Sequence, residues 1–177
     1  MNNPEKFRPT SALIMGWVLI AFFGGFIAQS IYYGGVAEAI ITVGICGLGV
    51  FGTYLSFIKP YVVIFDEGIK IVNPTKEITA SWDRVDEIET KYSMSIIVDG
   101  RTFYAWAAPA PSRRHGKRMH KSDFTPRGSA HPVRIGDSPR SDSGACAYIA
   151  RLRRKDFIAR AVPAHNIFQV KSGLFIK

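Results

Sequence analysis

Two charge-free apolar stretches lie back to back near the start of this 177-residue chain, and they limit what it can become more than any other feature. The first runs from Pro9 to Ala37, between Arg8 and Glu38; the second runs from Ala39 to Ile58 and ends at Lys59. An α-helix rises about 1.5 Å per residue and a bilayer core is about 30 Å thick, so roughly 20 apolar residues cross it. Both stretches reach that length. They predict a two-helix transmembrane hairpin with spans over 11–33 and 36–58, turning at Gly34-Gly35. A cleaved signal peptide fits less well, because its apolar core usually has about 7–15 residues. No small-residue cleavage site separates the two stretches.

Positive residues near span ends select the cytoplasmic side. Lys6 and Arg8 precede the first span, Lys59 follows the second, and the connection carries only Glu38. The N-terminal segment 1–10 and everything after the hairpin are therefore expected in the cytoplasm. Small residues recur four apart as Ala21/Gly25, Gly24/Ala28, Gly49/Thr53 and Gly52/Ser56. Such pairs let helices approach closely in lipid, either within the hairpin or between copies of the chain. Glu38, at the outer end of its helix, reads as an interfacial anchor rather than part of an ion pathway.

From Tyr61 the apolar period shortens to two. Tyr61–Phe65 is β-branched and aromatic, and Asp66-Glu67-Gly68 turns it into Ile69–Val72, which ends at Asn73-Pro74. Ile78, Ala80 and Trp82 then alternate with Glu77, Thr79 and Ser81; Ile88 and Tyr92 open a further strand, continued by Met94, Ile96 and Val98. Asp99-Gly100, between Ile96-Ile97-Val98 and Thr102-Phe103-Tyr104, is a hairpin signal, because a type I′ turn needs positive φ at both central residues. About six short strands result, an antiparallel meander that curls into a barrel or a sandwich.

Residues 107–142 change character again. They are rich in Pro, Ser, Gly, Arg and His without an apolar period, as expected of a flexible loop. From 143 to 162, Ala145, Tyr148, Ile149 and Leu152 fall at helical spacing among Arg151, Arg153, Arg154 and Lys155. That predicts a basic amphipathic helix capped by Asp142 or Ser143 and stopped by Pro163. Its apolar stripe either closes the open end of the β-structure or lies on the membrane surface. The tail 163–177 has no clear pattern beyond a turn at Lys171-Ser172-Gly173.

Phe65-Asp66-Glu67-Gly68-Ile69-Lys70-Ile71, Ser81-Trp82-Asp83-Arg84-Val85-Asp86-Glu87-Ile88, Asp99-Gly100, Ala105-Trp106-Ala107-Ala108-Pro109 and Arg113-Arg114 follow one another in an order that resembles bacterial pleckstrin-homology (PH)-like domains of the actinobacterial membrane-protein type. The resemblance covers roughly 60–114 and extends to the helix from 143; the basic insertion between them departs from it. It implies an α+β fold: a two-helix transmembrane hairpin, then a PH-like antiparallel β-barrel or sheet over 60–106 with a C-terminal helix. It also implies a multi-pass protein of the bacterial cytoplasmic membrane, and a binding or scaffolding module without catalytic residues or cofactor.

Charge suggests where binding takes place. The net +9 is uneven: residues 60–111 carry five Lys/Arg against eight Asp/Glu, and residues 112–177 carry fifteen against four. Arg113, Arg114, Lys117, Arg118 and Lys121, together with Lys59, are the candidates for contact with an anionic phospholipid surface, where each cation contributes about 1 kcal/mol. The first hairpin holds Asp66, Glu67 and only Lys70, so no phosphoinositide site is expected. His115, His120 and His131 lack zinc-site spacing and a neighbouring cysteine. Asp83, Asp86, Glu87 and Glu89 read as a solvated strand edge, and Ser93 and Ser95 have no adjacent histidine. Nucleic acid is not expected, because Phe124 is the only aromatic between Trp106 and Tyr148. Cys46 and Cys146 read as small buried residues. Two readings follow: a membrane-anchored module that docks a protein partner or the anionic inner leaflet, or an accessory subunit of an envelope or transport complex whose hairpin is the interface.

Overall fold

A computed structural model describes residues 2–110, 141–160 and 168–172, and the chain divides into two compact units, Pro9–Pro60 and Met1–Arg8 with Tyr61–Lys177. The first unit is helical. Helix α1 (Thr10–Tyr33) has 24 residues and is about 36 Å long. After Gly34-Gly35, α2 (Val36–Thr53) runs on through a wider π-type turn at Tyr54–Ile58, where the Lys59 amide donates to the Tyr54 carbonyl at 2.8 Å. Both helices are long and apolar enough to cross a membrane.

The two helices meet along a seam of small and hydroxylic residues. Ser30 Oγ lies 3.2 Å from Thr42 Oγ1, and the Phe23 ring rests on Gly49, where a Cβ would come within 2.7 Å of it. Gly16 receives Phe57 and Ile58. Positions 16, 23 and 30 repeat every seven residues, as a left-handed antiparallel pair requires. Of the small pairs in the sequence, Gly49/Thr53 serves this seam. Gly24, Gly25 and Gly52 face away from it, with nothing within 4 Å of an added Cβ.

The second unit is α+β. Strands β1 (Glu5–Phe7), β2 (Tyr61–Phe65), β3 (Gly68–Val72), β4 (Lys76–Ser81), β5 (Val85–Glu89), β6 (Ser93–Val98) and β7 (Arg101–Pro109) precede helix α3 (Asp142–Ala159) and strand β8 (Phe168–Ser172). They form a five-stranded antiparallel sheet, β1-β2-β3-β4-β8, and a three-stranded one, β5-β6-β7. Among the described residues the sheets do not close into a barrel: each keeps its own two edges. The Asp99-Gly100 turn forms as expected, with φ of 51° and 71°. Gly68 is required where β3 meets β4, because a Cβ there would sit 2.3 Å from the Ala80 carbonyl oxygen.

Two elements differ from the sequence reading. The N-terminal segment carries β1, which pairs with β2 in the register Glu5↔Ile64, Lys6↔Val63 and Phe7↔Val62. Its approach is held by the β2–β3 turn: Asn3 Nδ2 donates to Asp66 Oδ2 at 3.0 Å, and the Asp66 amide donates to the Asn2 carbonyl at 3.1 Å. The tail, in turn, carries β8, antiparallel to β4 from Lys76↔Ser172 to Ala80↔Phe168. Strand pairing therefore runs through Lys171 and Ser172, where a turn was expected.

Helix α3 keeps only part of the expected stripe: Ile149 packs against the core, joined by Phe157. Ser141 caps it, its hydroxyl accepting from the Gly144 amide at 3.0 Å. The buried positions are Ser143, Gly144, Cys146, Ala147 and Ala150, while Tyr148 and Leu152 are exposed. The cause is steric. The β-structure supplies the bulk (Trp82, Met94, Ile96, Ile88), so the fully buried positions of the helix are small. Trp82 is fully buried at the passage from β4 to β5, its indole N–H donating to the Phe65 carbonyl at 3.0 Å. Arg153 of α3 engages Asp66 and lies 3.9 Å from Glu5, tying helix, turn and β1 together.

Because β1 and β2 are paired neighbours, a two-residue Asn-Gly turn joining Arg8 to Tyr61 is expected to replace the helical unit and give a soluble folded domain. Urea denaturation should show residues 61–177 alone to be less stable than this minidomain by about 2 kcal/mol, from the lost Phe7 contact and strand ladder.

Candidate functional site

The lipid-contact candidates divide. Lys59 ends the helical unit, just after the π-type turn. Arg113, Arg114, Lys117, Arg118 and Lys121 lie outside the described residues, as do His115, His120 and His131. Asp86 accepts from the Gly100 amide at 3.3 Å, and Arg84 engages Asp99, so this part of the carboxylate cluster braces the β6–β7 turn. Glu87 and Glu89 stand on β5, with Glu89 opposite Ser95 and Ser95 opposite Tyr104. Among the described residues no group of three or more His, Cys, Asp or Glu side chains is placed to hold a metal. Both cysteines are free and buried. Burial, with Glu5 and Asp142 nearby, pushes the Cys146 thiol up to about 12, and its sulfur rests 3.4 Å from Met94 Sδ. Such a thiol stays protonated and unreactive at neutral pH.

What the fold assembles instead is a rim at the end of the β-domain where the chain enters from the helical unit. Tyr61, the first residue of β2, pairs with Val72 at the end of β3. Asn73 follows, its amide closing the β3–β4 turn onto the Lys76 carbonyl at 2.8 Å. The Asn73 side chain then reaches the other sheet. Its Oδ1 accepts from the Trp106 amide at 2.9 Å, and its Nδ2 donates to the Tyr104 carbonyl at 2.7 Å. A single carboxamide thus pairs an exposed stretch of the β7 edge and fixes Tyr104 and Trp106 beside the turn.

The alternation along β7 is inverted relative to an ordinary half-buried strand. Ala105 and Ala107 point inward and are buried, whereas Tyr104 and Trp106 point outward, 49% and 60% exposed. Close by in the chain path, Lys6 Nζ lies 4.3 Å from the centre of the Tyr61 ring, a cation–π contact, and Lys76 is exposed. The rim is thus aromatic and basic. Sequence reasoning saw Asn73 only as a turn residue and Trp106 only as part of a closing strand. The available signal was the large-out, small-in order of Tyr104-Ala105-Trp106-Ala107.

No family model matches this chain, and neither a curated protein nor a solved structure is similar to it.

Asn73→Ala removes both side-chain bonds and is expected to destabilise the domain by about 1–2 kcal/mol. Asn73→Asp keeps the acceptor for Trp106 but turns an oxygen toward the Tyr104 carbonyl. Hydrogen exchange distinguishes them: the Trp106 amide should lose protection in Asn73→Ala and retain it in Asn73→Asp.

Proposed function

We propose that this chain is a membrane-anchored, non-catalytic interaction module: a PH-like β-domain carried on a two-helix transmembrane hairpin in the bacterial cytoplasmic membrane. Its soluble part faces the cytoplasm and docks a protein partner or the anionic leaflet. One observation carries this reading. Strand β1, before the helices, pairs with β2, after them, so both ends of the helical unit run into one folded domain and must lie on one side of any membrane the helices cross. An even number of crossings satisfies that; a single crossing does not.

Two further features support it. Apolar side chains such as Ile14, Trp17, Phe22, Ile40, Ile45 and Leu48 are left exposed along both helices, which suits lipid and not water. Tyr32 and Tyr33 stand exposed at the inter-helix turn, where amphipathic rings match a bilayer interface. Cleavage after α1 would remove β1 from the sheet, which argues against a signal peptide.

Protease protection tests the topology on the full chain tagged at both ends. Both tags should be digested in inverted vesicles and both protected in right-side-out vesicles; opposite behaviour of the two tags would overturn the hairpin.

The second reading, an accessory subunit using the hairpin as its interface, draws on Gly24, Gly25 and Gly52, which face outward from the seam. Gly25→Leu and Gly52→Leu should then abolish recovery of a cross-linked complex without disturbing the hairpin. Gly49→Leu, driven against Phe23, should disrupt the hairpin itself and lower the thermal midpoint in detergent.

A further inference from the structure

We infer that the aromatic rim of the β-domain, Trp106 with Tyr104 beside Lys76, is seated in the phospholipid headgroup layer of the same bilayer that receives the helices. The inference rests on the helices being membrane spans, and adds to that reading the part of the domain that meets lipid. Its geometry is internal to the β-domain. Arg8 and Tyr61 are the residues through which the chain leaves for the helical unit and returns from it. The strand register carries this end of the sheet from Tyr61 to Val72, and from Val72 to Glu77, next to Lys76. Asn73, within that end, binds the Trp106 amide at 2.9 Å and the Tyr104 carbonyl at 2.7 Å. The backbone of Tyr104 and Trp106 is thereby held at the end of the sheet that carries Tyr61.

The chemistry matches that layer. Indole and phenol present an apolar ring and a polar N–H or O–H, and both concentrate where hydrocarbon gives way to headgroups. An outward Trp106 60% exposed and an outward Tyr104 49% exposed, over inward alanines, are costly in water. Lys76 and Lys6, both exposed, add cations suited to lipid phosphates. Only Arg8-Pro9 and Lys59-Pro60 separate β1 and β2 from the helices along the chain.

The test uses the full-length protein in phosphatidylcholine/phosphatidylglycerol vesicles. Three tryptophans report, Trp17, Trp82 and Trp106; Trp82 is buried in the core and constant. In Trp17→Phe, with Trp17→Phe/Trp106→Phe as the blank, a headgroup-attached nitroxide lipid should remove about half or more of the Trp106 emission, while aqueous iodide should have little effect. In Trp106→Phe, a nitroxide at mid-chain should quench Trp17, which reports the spans. Trp17 quenched with Trp106 open to iodide overturns the rim contact and leaves the spans standing. Trp106 shielded from both quenchers also overturns it, because protein rather than lipid then covers the ring. Trp17 untouched by chain-labelled lipid overturns both readings together.

Discussion

The pairing of β1 with β2 is the constraint on which the rest of the structure depends. Three residues before the helices complete the edge of a sheet whose other strands all come after them. The ladder is short, yet it is reinforced at its far end by Asn2 and Asn3 on the β2–β3 turn and by Arg153 from α3. The β1–β2 ladder cannot form until the chain between Arg8 and Tyr61 has brought its two ends back together. For a long insertion the closure cost grows only as the logarithm of loop length, and a helical hairpin with its ends side by side lowers it further. The antiparallel helix pair and the antiparallel strand pair are therefore mutually consistent, each placing the chain ends where the other needs them.

Inside the β-domain the corresponding constraint is volume. Trp82, Met94, Ile96 and four further isoleucines (Ile64, Ile69, Ile71, Ile78) fill the space between the sheets and α3. The helix meets this bulk with Cys146, Ala147 and Ala150, and β7 does so with Ala105, Ala107 and Ala108. With the innermost positions of both partners small, Tyr148, Leu152, Tyr104 and Trp106 lie outside, while Phe103, Ile149 and Phe157 pack at the border of the core. The surface chemistry of this domain is in that sense a consequence of how its core is filled.

This also separates what was legible in the sequence from what was not. The apolar hairpin, the alternating strands and the Asp99-Gly100 turn follow from local periodicity and backbone sterics, and they form. The α3 face was legible only at Ile149; Tyr148 and Leu152 lie outside, because hydrophobic patterning weights large residues while close approach to a crowded sheet selects small ones. β1 was invisible because three residues carry no period and their partner strand lies beyond both helices. The role of Asn73 was hidden for a similar reason: its side chain bonds residues that only tertiary structure brings near. The lipid-contact candidates from Arg113 to Lys121 lie outside the described residues.

A tethered domain does not need a deep pocket to act at a surface. Once the helices hold it to a bilayer, contact with lipid becomes intramolecular, and modest interactions suffice at the resulting effective concentration. One outward tryptophan, one outward tyrosine and a few lysines would then set the tilt of the domain rather than its residence. In the proposed arrangement, tilt would select the face presented to a partner: β5 with Glu87, or the exposed side of α3 with Tyr148, Leu152 and Lys155. If Asn73 positions the rim, its loss should disturb orientation more than attachment, because the anchor and the aromatic side chains survive while their alignment does not.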